Sequence, residues 1–200
     1  MSKRPDLRDS HIRRAVAIVG VLNCAYFFVE FAIALRIHSV SLFADSVDFL
    51  EDAAVNFLIL VALTWTSARR AHVGKLLALI LLVPALAMLW VLWNKLAHPL
   101  PPAPFVLSLT GAGALIVNVS CALMLARFRH ERGSLTKAAF LSARNDAYAN
   151  LAIIAAGLIT AFAPSIWPDV IVGLGIAYMN ADAAREVWAA ARAEQSSAAP

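Results

Sequence analysis

Residues 44–56 read ADSVDFLEDAAVN, which sets Asp45, Asp48, Glu51 and Asp52 inside a run that is otherwise apolar. By themselves the four acids would suit a solvated loop, or a helix that pairs its carboxylates with cations. The spacing says more. Residues four apart lie on one face of a helix, so Asp48, Asp52 and Asn56 form a single stripe.

The text around this stretch places it in lipid. Hydrophobic residues make up 61% of the 200-residue chain and charged residues 15%, where a soluble domain carries about a quarter. The mean hydropathy is +0.73. A helix needs about 20 apolar residues to cross a hydrocarbon core about 30 Å thick. Spans are expected at 15–35, 41–65, 75–95, 104–126, 138–162 and 168–190. Turn-bounded alternating segments of the kind that build barrels do not recur. The expected fold is an all-α membrane protein, a bundle of six transmembrane helices. A basic segment, 1–14, precedes the 15–192 membrane domain, and a short polar tail, 193–200, follows it. Pro84 is expected to kink the third span. Gly111 and Gly113 are expected to let the fourth approach its neighbours closely.

The net charge of +4 could suggest nucleic acid, but position decides. Fourteen Lys and Arg residues fall in 3–14, 69–75, 127–137 and 185–192, against Arg36 and Lys95 on the other side. That asymmetry marks topology and places both termini in the cytoplasm. No nucleic-acid partner is expected, and membrane lipid is. No cleavable signal peptide is evident. Cys24 and Cys121 lie in apolar segments with no metal-ligand spacing and read as small buried residues. The five histidines fall at span ends or in loops, and the tryptophans suit an interfacial belt.

The stripe on the second span has an echo on the fifth. DAAVNFLI (52–59) and DAYANLAI (146–153) both read D-A-x-x-N, and Ser142, Asp146 and Asn150 repeat the spacing of Asp48, Asp52 and Asn56. These spans run in opposite directions. At 1.5 Å per residue, Asp52 lies about 18 Å below the outer boundary and Asp146 about 12 Å above the inner one, nearly the same level. Asp48 would then face Asn150. Ionised carboxylates at that depth cost a few kcal/mol each on insertion scales. A divalent cation would offset the cost and displace protons as it bound.

SVSLFADSVDFLED (39–52) resembles the second-helix signature of the cation diffusion facilitators, a family of cation efflux proteins. Glu30 after Phe28-Val29, Asn118 in LIVN and WPD at 167–169 also fall at positions common in that family. The resemblance covers the six-span region. It implies efflux of a divalent transition metal such as zinc, cobalt, iron or manganese, by proton antiport in a homodimer. Metal and protons are then substrates, and no cofactor or catalytic residue is implied. It makes Asp48, Asp52 and Asp146 metal ligands in a multi-pass membrane protein, here expected in a bacterial inner membrane.

Two departures matter. Where the family carries His or Asp four residues before its fifth-helix Asp, this chain has Ser142, a weak oxygen ligand. Asn145, Asn150 or a water would complete the set, and an oxygen-rich site favours harder ions such as manganese or ferrous iron. The family's carboxy-terminal metal-sensing domain is not among the 200 residues. Both departures leave room for a non-transporting partner of a complete transporter. An aspartate-dyad hydrolase is the weakest reading, for want of any other protease signature. Arg144 is expected either to pair with Glu51 or to snorkel to the interface. Asp45 is read as an outer cation attractor or a helix cap. Glu30 is read as lining the outer vestibule or as a packed, protonated carboxyl.

Overall fold

A computed structural model describes residues 5–62, 86–126 and 133–180, without the side chains of 5–10, 59, 61–62 and 133–144. Among the described residues it contains six helices and no strand. The helices are α1 Pro5–Ile37, α2 Val40–Ala62, α3 Leu86–Ala97, α4 Pro104–Ala126, α5 Gly133–Phe162 and α6 167–180. The expected span at 104–126 coincides with α4. Helix α1 is longer than its expected span: 33 residues reach about 50 Å, more than a hydrocarbon core needs. Helix α5 begins at Gly133, inside the expected link, because 133–137 contain no proline to stop the helical turn. Pro84 lies outside the described residues.

Among the described residues, three helices are long and apolar enough to cross a membrane, His11–Ile37, Pro104–Ala126 and Asn145–Phe162. Helix α2 has the length, 23 residues, but carries the four acids. The packing is inverted relative to a soluble protein. Leu109, Ile116 and Phe162 are 61%, 67% and 91% exposed, while Asn23, Glu30, Asp45 and Asn150 are fully buried. Apolar side chains facing outward around a polar interior suit lipid as the surrounding solvent.

Helix α4 shows the pattern residue by residue. Leu107, Thr110, Gly111, Ala114, Asn118, Cys121 and Leu125 are buried, one stripe at helical spacing. Gly111 sits against α5, where a Cβ would come within 2.9 Å of Ile153 Cγ2. Helices α4 and α5 pack closely along their length, as do α1 and α2, and α2 also touches α5.

The turn between α1 and α2 is only two residues long. His38 takes φ 52° and the Ser39 amide donates to the Ala34 carbonyl at 3.0 Å, which closes α1 in a Schellman motif. Ser39 Oγ then accepts from the Leu42 amide at 3.2 Å and caps α2. Pro104 opens α4, where its missing N–H costs nothing.

The end of the molecule at which α2 begins is tied together by Asp169 of the WPD motif. Its Oδ2 accepts from the Val40 amide at 2.8 Å, and its Oδ1 from the Ser41 amide at 3.1 Å. The Ser39 and Ser41 hydroxyls each donate to Oδ1 at 2.6 Å. Lys95 Nζ stands 3.8 Å from Oδ2 and donates to the His38 carbonyl at 2.7 Å. A carboxylate from α6 thus satisfies the free N–H groups of α2, while a cation from α3 balances it.

Candidate metal centre

The acids of α2 face the bundle interior, and an asparagine from a different helix meets three of them. Asn150 on α5 donates to Asp45 Oδ2 at 2.5 Å. Asn180 on α6 donates to Asp48 Oδ1. Asn23 on α1 donates to Asp52 Oδ2 at 3.4 Å. An amide steadies a carboxylate by donating an N–H without neutralising its charge. Packing amides rather than lysines against Asp45 and Asp48 leaves these residues able to attract a cation.

The Asn150–Asp45 bond corrects the expected register. Asn150 meets Asp45 and not Asp48, a slide of three residues or about 4.5 Å along the helix. This puts Asp146 between the levels of Asp48 and Asp52 rather than opposite Asp52. Asp48 takes its amide from Asn180 instead, while Asn150 meets the acid one turn nearer the start of α2. Asp45, read from sequence as an outer cation attractor or a helix cap, is not the cap. It is fully buried, and α2 is capped by Ser39 and Asp169.

Asp48 and Asp52 both lie within electrostatic range of Asp146 across the α2–α5 contact. Among the described residues, no group of three or more His, Cys, Asp or Glu side chains is close enough to hold a metal ion together. The acids therefore share one region without forming a closed cage. The Asn150 carbonyl oxygen, the atom that would ligate, accepts from Asn118 at 3.0 Å. Asn56 turns back to donate to the Asp52 carbonyl at 2.7 Å. The side chains of Ser142 and Arg144 lie outside those described, and with them the Glu51–Arg144 pairing. Cys121 is buried as expected, its thiol 3.7 Å from Asn23 Oδ1, while Cys24 is half-buried.

The family model of the cation efflux transmembrane domain matches residues 16–192, nearly the whole chain. The chain belongs to the cation efflux family. This cation efflux protein is thus a membrane protein whose general activity is transport of cations out across the membrane. Comparison with curated proteins found no match.

Sequence reasoning passed over several residues that the structure brings to this region. Asn180 and Asn23 escaped notice, although an amide in an apolar span is itself a signal of a buried polar contact. Asn118 was noted only as part of LIVN, and its partner Asn150 only as a possible ligand. His38 and His98 line a cavity between α1 and α3 with Asn94 and Lys95, a lining that includes none of the acids of α2.

Proposed function

We propose that this cation efflux protein exports a divalent transition metal in exchange for protons, by alternating access at the carboxylates of α2 and α5. The observation that carries the reading is the inward acid stripe whose members Asp45 and Asp48 are held by neutral amides. Asp48, Asp52 and Asp146 are the proposed ligands, with the Ser142 position or a water completing the set. Asn150, engaged by Asp45 and Asn118, orients the stripe in this reading and does not ligate. An all-oxygen site favours manganese or ferrous iron over zinc.

The open spacing of the acids fits a resting state in which α2 and α5 close onto the metal as it loads. The six helices are proposed to span the membrane with both termini cytoplasmic, as a homodimer in a bacterial inner membrane. Metal-resistance complementation in an exporter-deficient cell tests the reading, scanning zinc, cobalt, cadmium, iron and manganese. The chain should restore growth on at least one metal, and Asp48→Ala and Asp146→Ala should abolish that growth at equal membrane abundance. Growth unaffected by either substitution would overturn the ligand assignment. Absence of uptake of every metal into inverted vesicles would favour a non-transporting partner instead.

A further inference from the structure

Glu30 lies on α1, facing α2 one turn outward of the proposed ligands. It is fully buried, and among the described residues no N–H or O–H group reaches either of its oxygens. What it does reach is the carboxyl of Asp45, within hydrogen-bonding range. Asp45 Oδ2 accepts from Asn150, while its Oδ1 likewise has no donor among the described residues. Two carboxyl groups can bond to each other only through a proton. One proton placed between them gives both Glu30 and Asp45 Oδ1 the partner they lack, which burial otherwise makes costly to omit.

We propose that Glu30, with Asp45 as acceptor, is the proton-carrying site of this transporter, adjoining the metal ligands but separate from them. The inference rests on the metal–proton exchange proposed above and names the residue that holds the proton. The groups facing Glu30 are Asp45 and Asp48 from α2 and Tyr26 on its own helix. Asn118 of α4 and Asn150 of α5 approach through Asp45 and do not titrate.

Asp45 lies one turn from Asp48 on the same helix, so charge at one is felt at the other. Arrival of a divalent cation at Asp48 repels the shared proton. The O–H bond of Glu30 breaks, the proton leaves to water, and the second carboxylate so formed is balanced by the metal. A proton entering from the other side re-forms the O–H bond and weakens the hold on the cation. This arrangement supplies the exchange that Ser142, having no imidazole, does not provide.

Purified full-length protein in liposomes provides the test, with Zn²⁺ and Mn²⁺ as probes. Two rates are compared: metal exchange without a pH gradient, and uptake driven by one. Glu30→Gln should retain exchange while losing the stimulation by the gradient about tenfold or more, within the usual range of coupling between sites. Glu30→Asp, which keeps the carboxyl, should retain part of the stimulation. Full stimulation in Glu30→Gln would overturn the proposal, and so would loss of exchange along with it. Infrared spectroscopy of the metal-free protein gives a readout independent of transport. The protonated-carboxyl C=O absorption of the wild type should lose a component in Glu30→Gln, and a carboxyl region unchanged by the substitution would refute the assignment. A wild type that exchanges metal without any response to a pH gradient would defeat the antiport reading itself, a result distinguishable from failure at Glu30.

Discussion

At the scale of single residues, the acids of this protein divide by the partners they have. Asp169 is satisfied by two amides, two hydroxyls and the charge of Lys95, so its negative charge is spent on structure. Asp45 and Asp48 receive amides instead, and Glu30 receives only a carboxyl. Burial alone does not separate these roles, since Asp169 and Asp45 are both fully buried. Replacing Asp169 with Ala would leave the Val40 and Ser41 amides without acceptors and Lys95 with an uncompensated buried charge. Loss of about 3–5 kcal/mol is expected, as for other broken buried pairs, measurable by denaturation in mixed detergent. Metal selectivity of the residual folded protein should be unchanged, because no proposed ligand touches Asp169.

At the scale of helices, close approach is set by glycine as much as by polar bonds. Helix α6 meets the first turn of α2 at Gly173, where a Cβ would stand 2.8 Å from the Ser41 nitrogen and the Val40 carbonyl carbon. Those atoms are backbone and cannot rotate away. Gly173→Ala should force α6 off α2 and cost about 1–3 kcal/mol, the usual range for overpacking. Gly175, two residues on, has open space where its Cβ would sit, so Gly175→Ala serves as the control. Comparative thermal aggregation of the two variants in detergent decides the matter, and equal behaviour would argue against the contact. The same logic explains the tight α4–α5 pair at Gly111, which the small-residue text of the fourth span foreshadowed.

At the scale of the whole molecule, the question is direction across the membrane. The Lys and Arg asymmetry argues for cytoplasmic termini. The two-residue turn between α1 and α2 and the loop 98–103 would then face outward, with Asp169 and Lys95 closing that side. Reporter fusions at residue 1, at residue 200 and within 98–103 should show cytoplasmic activity for the first two and external activity for the third. Cytoplasmic activity at 98–103 would reverse the assignment.

Several features were legible in the sequence because they depend on local spacing. Hydropathy over about 20 residues marks a membrane helix wherever it packs, and α4 ends where its text predicts. Four-residue spacing puts Asp48 and Asp52 on one face in any helix, and the D-A-x-x-N echo marks the matching stripe on α5. Register and partnership were not legible, because they depend on how far one helix slides past another. The pairing of Asn23, Asn150 and Asn180 with three different acids fixes that register, and it joins residues from four helices. Only the tertiary structure could show Asn150 on Asp45, Asp169 on the start of α2, and Glu30 with a carboxyl as its neighbour: a hydrogen bond is decided within a few tenths of an ångström, and sequence spacing carries no such distance between helices.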